Sequence, residues 1–207
     1  MAKMLLIGAS GSSGSIGEVV APAVLKNTDK DLVLASRHPR KIPITDASRE
    51  TAIKLDVTND DELAEALKDV DFVFASLSGA MDTFASHLVK AMDKAGVKRL
   101  AFITTMGIYQ EIPSWLGESP DPYTNSILRP FRKAADIIEA SDLDYTIIRP
   151  GWLDYSNDTN YELTKKGEPF GVHNVSRESI ADLVVRLIKD PEFGKRESFG
   201  INRPQAH

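Results

Sequence analysis

Near the amino terminus, residues 4–17 read MLLIGASGSSGSIG. Four apolar residues are followed at once by glycines and serines, a pattern typical of a buried parallel strand that ends in a tight turn. The apolar spacing that follows predicts a helix over residues 16–25. Pro22 lies inside that helix, where it should cost a hydrogen bond or introduce a kink. The stretch therefore predicts a strand, a glycine-rich turn and a helix in succession.

The rest of the chain repeats this alternation. Further strands are predicted over residues 31–36, 52–55, 71–77, 99–105, 145–149 and 198–201, and further helices over residues 60–67, 81–95, 127–140 and 176–189. Strands that alternate with helices of this length imply right-handed crossovers and a parallel sheet. The expected fold class is α/β, a doubly wound Rossmann-like parallel sheet with helices on both faces. Ligands bind such sheets outside the carboxyl ends of the strands.

Helix ends and loops carry their own signals. Asn59 or Asp60 is expected to cap the second helix, Gly96 to end the third in a left-handed conformation, and Ser176 to cap the last. Residues 107–126 contain three prolines and two glycines, which predicts a long ordered loop or lid. No linker divides the chain, so residues 1–207 are expected to form a single domain with substrate-side loops at residues 107–126 and 151–175.

Composition excludes several classes of function. The chain has 207 residues, of which 42% are apolar and 27% charged, enough for a sizeable core. It has no cysteine, which excludes disulfides, thiolate metal sites and a cysteine nucleophile. Its formal net charge of -5 argues against a nucleic-acid partner. The four histidines lack a second ligand at metal-binding spacing, so no metal is expected.

The chain shows no signal for membrane insertion or export. No apolar run approaches the ~20 residues of a membrane-spanning helix. The amino terminus lacks the charged head, long apolar middle and cleavage site of a signal peptide. We therefore expect a cytoplasmic protein with no membrane partner, either a monomer or a homodimer.

The glycine-rich turn has the residue types that a dinucleotide pyrophosphate requires. Glycines allow the tight turn, the close approach of the backbone to the phosphates and the close packing of helix on strand. The amides at the helix start and the serine hydroxyls supply donors. The predicted phosphate-binding residues are Gly8, Ser10, Gly11, Ser12, Ser13 and Gly14. The alternative is an ordinary structural turn.

The end of the second strand indicates which nicotinamide cofactor is bound. NAD sites usually place a carboxylate there, to accept from the ribose 2′-hydroxyl. Here the sequence continues Ser36-Arg37-His38-Pro39-Arg40-Lys41. Arg37 could bind a 2′-phosphate through paired, charge-assisted hydrogen bonds, which favours NADP over NAD. The alternative is a solvated basic loop.

Two further strand ends contribute candidate cofactor contacts. Asp56 and Val57 follow the third strand, where a carboxylate could meet the adenine amino group, although Asp56 could equally cap a helix. Leu77 and Ser78 follow the fourth strand, which places their backbone beside the expected ribose. A plain turn would show the same sequence.

Three segments together resemble a known family. They are residues 8–14 (GASGSSG), 103–109 (ITTMGIY) and 141–151 (SDLDYTIIRPG), supported by residues 176–182 (SRESIAD). The chain resembles the atypical short-chain dehydrogenase/reductases, within them the NAD(P)H-binding, NmrA-like and biliverdin/flavin reductase-like branch. The resemblance covers nearly the whole chain and is more specific for fold and cofactor than for substrate.

The family's mechanism implies three side chains: a hydroxyl that orients the substrate, a tyrosine that transfers the proton, and a lysine that binds the nicotinamide ribose. Thr105 matches the hydroxyl residue and Lys133 the lysine, with Thr104 and Pro150 as further cofactor contacts. Four residues before Lys133, however, stands Arg129. A guanidinium stays charged and cannot act as an ordinary proton donor, so ordinary carbonyl reduction is not assured.

Other tyrosines offer alternatives. The literal Tyr-x-x-x-Lys at residues 161–165 lies in a segment without helical pattern; if extended, it would separate the two side chains by ~13 Å. It is rejected as accidental. Tyr109 could supply the phenol, as could Tyr123, but Tyr109 could equally pack under the loop.

The expected function is that of an NADPH-dependent reductase which transfers hydride to a small planar acceptor, a flavin, quinone or carbonyl. Flavin would then be a substrate, and its proton could come from water. The alternative is a non-catalytic NADP(H)-sensing regulator that acts through a protein partner. Arg149, Trp152, Trp115 and Phe84 are candidates for the acceptor wall, with packing as the alternative for each.

Overall fold

Ten strands and five α-helices form the part of the chain that the computed structural model describes, residues 2–10, 16–116, 120–171 and 174–204. The strands are β1 (Lys3–Ile7), β2 (Asp31–Ser36), β3 (Glu50–Lys54), β4 (Val70–Ala75), β5 (Arg99–Ile103), β6 (Asp144–Pro150), β7 (Leu153–Asp154), β8 (Glu162–Thr164), β9 (Val175–Ser176) and β10 (Glu197–Asn202). The helices are α1 (Gly17–Asn27), α2 (Asp60–Ala66), α3 (Met81–Ala95), α4 (Leu128–Glu139) and α5 (Arg177–Lys189).

Eight strands form one sheet in the order β3-β2-β1-β4-β5-β6-β10-β8. Neighbouring strands are parallel except β8, which runs antiparallel to β10. The chain winds outward from β1 in one direction through β2 and β3, and in the other through β4, β5 and β6. The direction of winding therefore reverses between β1 and β4, and a crevice for a ligand is expected there, at the carboxyl edge of the sheet.

Helices cover both faces of this sheet. One face packs α1 and α5 over alternate residues of the central strands, including Leu6, Leu34 and Phe74. The other packs α2, α3 and α4 over the residues between them, including Leu5 and Val73. Because strand side chains alternate between faces, a buried parallel sheet needs apolar residues at successive positions, as β1 shows. The predicted α/β doubly wound class is confirmed.

The helix ends follow the sequence signals. The Asn59 side chain caps α2 by accepting from the amides of Asp61 and Glu62. Ser176 caps α5 by accepting from the Ser179 amide, and Gly96 ends α3 at φ +70°. These predicted caps are confirmed. The caps fix the ends of the crossover helices, and so help to set where the connected strands end.

Three short strands were not predicted. β7 and β9 pair with each other in a two-stranded sheet, and β8 joins the main sheet at its edge. Within the described residues no helix is long and apolar enough to cross a membrane.

The extended β8 contains residues 162–164, so the literal Tyr-x-x-x-Lys motif is not on a helix. Its two ends bind different partners, because Tyr161 donates to Asp182 at 2.9 Å and Lys165 pairs with Glu197 at 3.1 Å.

Candidate functional site

The turn after β1 brings the ends of three strands together. Gly8 adopts φ +91°, and a Cβ atom there would lie 1.9 Å from the carbonyl oxygen of Ser76, just beyond β4. The Gly8 amide donates to the carbonyl of Ala35 in β2 at 3.1 Å. Only glycine fits this position, because the backbone must pass directly against its neighbours. The predicted residues Gly11, Ser12, Ser13 and Gly14 lie outside the described residues.

A cleft of about 130 Å³ opens at this carboxyl edge. Seven of the predicted cofactor residues line it together: Gly8, Ser10, Arg37, Asp56, Val57, Leu77 and Ser78. They come from the ends of β1, β2, β3 and β4, so their meeting follows directly from the parallel topology. Phe84 of α3 also lines this cofactor cleft and packs against the core, whereas its predicted place was the acceptor wall.

Two larger clefts lie elsewhere on the described surface. One of about 530 Å³ lies over the face of the sheet beside α2, and its lining runs from Lys3 and Asp31, the first residues of β1 and β2, to Lys54 at the end of β3. Another of about 440 Å³ lies between α2 and α3. Because doubly wound sheets bind ligands at the carboxyl ends, the smaller cleft is the candidate site.

Serine hydroxyls connect the glycine turn to the basic loop. The Ser10 and Ser36 hydroxyls are 2.6 Å apart, and the Ser36 hydroxyl also accepts from the His38 amide at 3.1 Å. Arg37 lies between Ser36 and His38 in this loop and is exposed. Within the described part of the chain its guanidinium makes no hydrogen bond or ion pair. An exposed guanidinium beside a cleft remains available to an anion from solution.

Asp56 is the acidic group of this cleft. One carboxylate oxygen accepts from the Thr58 amide at 2.9 Å and from the Thr58 hydroxyl at 2.8 Å. These bonds, with a smaller contribution from the Arg37 charge, hold the pKa of Asp56 below its ordinary value. Asn59, and not Asp56, caps the following helix. Asp56 therefore shapes the turn before α2 and stays ionised, able to accept from an amino group.

Thr104 and Pro150 lie where β5 and β6 end side by side. The Thr104 hydroxyl donates to the Ile148 carbonyl at 3.2 Å, and the Met106 amide donates to the Pro150 carbonyl at 3.3 Å. Thr104 and Pro150 are both buried. Thr105, by contrast, is half-buried, and its hydroxyl makes no hydrogen bond within the described residues. Thr105 therefore has a hydroxyl without an internal partner at the carboxyl edge, and its catalytic role stays a prediction.

Lys133 and Arg129 lie one turn apart on α4 and are exposed. Neither side chain has a hydrogen bond or an ion pair in the described ranges. Arg132, by contrast, pairs with Asp136 and donates to the Tyr123 hydroxyl. The amine of Lys133 is thus free, and α4 starts at the carboxyl edge because it follows β5 in the chain.

Tyr109 lies in a cluster of charged groups. Its hydroxyl donates to Glu139 at 2.6 Å, and its ring lies 4.6 Å from the Arg132 guanidinium and 5.1 Å from that of Arg149. Burial, reinforced by the Glu139 hydrogen bond, raises the pKa of Tyr109 well above its ordinary value. A phenol that is already bonded to a carboxylate and is hard to deprotonate suits packing better than proton transfer. The geometry therefore favours the packing alternative for Tyr109.

We expect Tyr109→Phe to leave turnover within about twofold of wild type, because a tyrosine that only packs transfers no proton. Loss of a general acid would instead lower turnover by at least about 100-fold. The ring contacts persist, and the lost bond to the Glu139 carboxylate should lower the free energy of unfolding by about 1.5–3 kcal/mol, the range for hydrogen bonds to charged groups. Steady-state assays and urea denaturation measure the two effects. If turnover instead falls to the extent expected for loss of a general acid, Tyr109 is the proton donor after all.

Sequence reasoning missed Glu111 as a site residue and considered Arg149 only for the acceptor wall. Arg149 has no exposed side-chain surface and forms an ion pair with Glu111 at 2.5 Å. It therefore does not face an acceptor. Trp115 and Trp152 are 65% and 70% exposed, so they do not pack in the way that the alternative supposed. The sequence signal for Glu111 is slight, a single acidic residue among loop residues.

Comparison with known proteins identifies the family. A family model described as NAD(P)H-binding matches residues 11–191. The chain belongs to this NAD(P)H-binding family. The match begins inside the glycine turn and ends just beyond α5, so it spans most of the cleft and both substrate-side loops.

Solved structures show the same fold. A Rossmann-fold NAD(P)-binding family protein of Shigella flexneri is 36% identical, with all of this chain and 95% of the other covered and a TM-score of 0.84. A short-chain dehydrogenase/reductase of Veillonella parvula in complex with NADP is 27% identical, with 100% and 96% covered and a TM-score of 0.86. The resemblance to atypical short-chain dehydrogenase/reductases is confirmed.

A curated relative carries a different description. The Bacillus subtilis protein named uncharacterized sugar epimerase YhfK is 27% identical, over 94% of this chain and 91% of the relative. The described residues of this NAD(P)H-binding family member nevertheless suit a dinucleotide by their own chemistry. A close-packed glycine turn, a free guanidinium and an ionised carboxylate line one cleft.

Proposed function

We propose that the protein is an NADPH-dependent reductase that transfers hydride to a small planar acceptor, a flavin, quinone or carbonyl. The observation that carries this proposal is the free guanidinium of Arg37 at the end of β2, in the cleft beside Gly8. A carboxylate at this position would repel a 2′-phosphate, whereas a guanidinium binds it. The NADP complex of the similar Veillonella parvula protein supports the same cofactor.

Different residues of the cleft would bind different parts of the cofactor. The Gly8 turn and Ser10 would hold the pyrophosphate, Arg37 the 2′-phosphate and Asp56 the adenine amino group. The predicted contacts of Val57, Leu77 and Ser78 complete the adenosine side. Thr104 and Pro150 lie at the ends of β5 and β6, further along the same edge, where the nicotinamide end would lie.

NADPH supplies a hydride when it is bound, and the chain supplies the orientation. The Thr105 hydroxyl would donate a hydrogen bond to the acceptor oxygen, and the Lys133 side-chain nitrogen would donate one to the nicotinamide ribose. Arg129 carries a guanidinium, which is not an ordinary proton donor. With a quinone-like or flavin-like acceptor, the proton that completes the reduction could come from water.

A second candidate is a non-catalytic NADP(H)-sensing regulator that acts through a protein partner. Arg129 favours it, because the chain has an arginine where the resembled reductases have their tyrosine. This alternative shares the cofactor cleft with the reductase and differs only in turnover. It predicts cofactor affinity without any acceptor.

One experiment separates the two. Purified protein is titrated calorimetrically with NADPH and NADH, and NADPH oxidation is then followed with flavins, quinones and aldehydes. Turnover with a planar acceptor supports the reductase. Tight NADPH binding without turnover supports the regulator, and absence of heat with either coenzyme contradicts both.

A further inference from the structure

A buried carboxylate organises the first substrate-side loop, residues 107–126. Glu111 is 7% exposed, and one of its carboxylate oxygens accepts from the Gly107 amide at 3.0 Å and from Arg149 at 2.5 Å. Its other carboxylate oxygen accepts from the Tyr109 amide at 2.8 Å. A single side chain therefore sets the path by which the loop leaves β5.

Arg149 fixes this carboxylate to the sheet. It belongs to β6, its Nε donates to the Ser198 hydroxyl at 3.1 Å, and its Nη2 donates to the Ser198 carbonyl at 3.3 Å. The same Nη2 donates to the Thr164 carbonyl of β8 at 3.4 Å. The guanidinium thus connects β6, β10 and β8, and through Glu111 it connects them to the first loop.

The second substrate-side loop, residues 151–175, is attached to the same point. The amide of buried Phe170 donates to the backbone carbonyl of Glu111 at 2.8 Å. Thr164, which accepts from Arg149, belongs to this loop too. Both loops that flank the candidate acceptor site therefore converge on one ion pair, and each carries an exposed tryptophan, Trp115 or Trp152.

Buried ion pairs rarely add much stability, because removing two charges from water costs about as much as their attraction returns. Breaking the pair leaves an uncompensated buried charge, so alternative loop positions are strongly disfavoured. The Glu111–Arg149 pair accordingly selects one loop arrangement over others, rather than adding stability to the fold.

We propose that Glu111 is a positioning residue that couples the two substrate-side loops into one preformed wall for the acceptor. Its contacts are all to these loops and to the sheet beneath them, and it is absent from the residues lining the cofactor cleft. Acceptor recognition therefore depends on Glu111 while cofactor affinity does not. The acceptor part of this inference rests on the proposed function; the coupling of the loops does not.

The test variant is Glu111→Gln, which keeps the shape but has one acceptor oxygen and turns an NH2 group toward amide or guanidinium donors. We expect faster hydrogen exchange at the Gly107 and Tyr109 amides and also at the Phe170 amide in the other loop. The KM for the acceptor should rise about tenfold, since hydrogen bonds to charged groups are the stronger ones. The Kd for NADPH should stay unchanged.

Glu50 provides the matched control. It is 6% exposed, and one of its carboxylate oxygens accepts from the Thr45 amide at 2.6 Å, the Thr45 hydroxyl at 2.9 Å and the Asp46 amide at 2.7 Å. Glu50→Gln therefore also weakens a buried carboxylate that anchors a loop, but one away from the acceptor side. We expect the faster hydrogen exchange in this variant to be confined to residues 45–50, with the acceptor KM unaltered.

Several results would overturn the inference. If Glu111→Gln accelerates exchange only at Gly107 and Tyr109 and leaves Phe170 protected, the two loops are not coupled. If Glu50→Gln raises the acceptor KM equally, the effect is general destabilisation. If no acceptor is turned over, the proposed reductase fails, but the exchange at Phe170 and the unchanged NADPH affinity still decide whether Glu111 couples the loops.

Discussion

Arg37→Asp is expected to weaken NADPH binding by about 100-fold, because a bidentate charge-assisted contact worth about 1.5–3 kcal/mol is replaced by like-charge repulsion. The 2′-phosphate is the only group that distinguishes NADPH from NADH, so NADH affinity should hold or improve. The Arg37 guanidinium is exposed and lines the cleft, and it makes no hydrogen bond or ion pair among the described residues. The substitution therefore breaks no such bond, although it also removes the charge that helps to lower the pKa of Asp56. Calorimetric titration with both coenzymes measures the change in preference.

Lys94→Asp is the matched control, since it changes the net charge by the same amount. Lys94 is exposed near the carboxyl end of α3, a helix that runs back toward the amino edge of the sheet. The NADPH affinity of the Lys94→Asp variant should change little at physiological salt, where charges farther apart than about 8 Å are largely screened. Equal loss of NADPH affinity in both variants would indicate a general charge effect, and unchanged affinity in Arg37→Asp would exclude the proposed 2′-phosphate site.

The order of strands and helices could be predicted because each depends on local signals. An apolar run such as Leu5–Leu6 or Val73–Phe74 is buried on both faces, which only a covered parallel sheet allows. Caps such as Asn59 and Gly96 satisfy helix ends by themselves. By contrast, β7, β8 and β9 have two or three residues each. Strands that short have no readable periodicity, since their pairing is determined by the rest of the fold.

The candidate site likewise has residues that could be predicted from the sequence and residues that could not. The cleft residues at the ends of β1 to β4 were predictable, because a parallel sheet brings its strand ends to one edge whatever the side chains are. The pairing of Glu111 with Arg149 was not, because it joins a loop to β6 over a separation of 38 residues. The sequence places Arg149 near the acceptor since it lies at the end of β6, but side-chain alternation turns it into the interior.

Position in the sequence alone left two interpretations of Tyr109 open. It follows Thr105 by four residues at the carboxyl edge, which predicts a phenol near the nicotinamide end of the cofactor. Its hydroxyl instead donates to Glu139, the last residue of α4. Loop direction depends on the Glu111 contacts, which include the long-range pair with Arg149 and leave no trace in the sequence periodicity.

Gly8→Ala is expected to lower the free energy of unfolding by at least about 3 kcal/mol. A non-glycine residue at positive φ costs about 1–2 kcal/mol, and overpacking adds about 1–3 kcal/mol. The overlap here is severe, because the new Cβ would lie 1.9 Å from the Ser76 carbonyl oxygen at φ +91°. That carbonyl cannot retreat freely, since the Ser76 amide donates to the Ile7 carbonyl at 3.0 Å and so ties β4 to β1.

Gly96→Ala isolates the conformational part of this cost. Gly96 also has positive φ, at +70°, but a Cβ there would meet nothing within 4 Å. We expect this variant to lose only about 1 kcal/mol, the ordinary cost of a left-handed alanine. Urea denaturation of both variants measures the difference, which should be about 2 kcal/mol or more if the close approach to Ser76 adds its own cost. Equal losses would mean that the turn relaxes readily. In that case the Gly8→Ala variant should keep its affinity for NADPH. If the turn is rigid, the folded fraction of the variant should bind NADPH poorly, because the backbone that faces the pyrophosphate has moved.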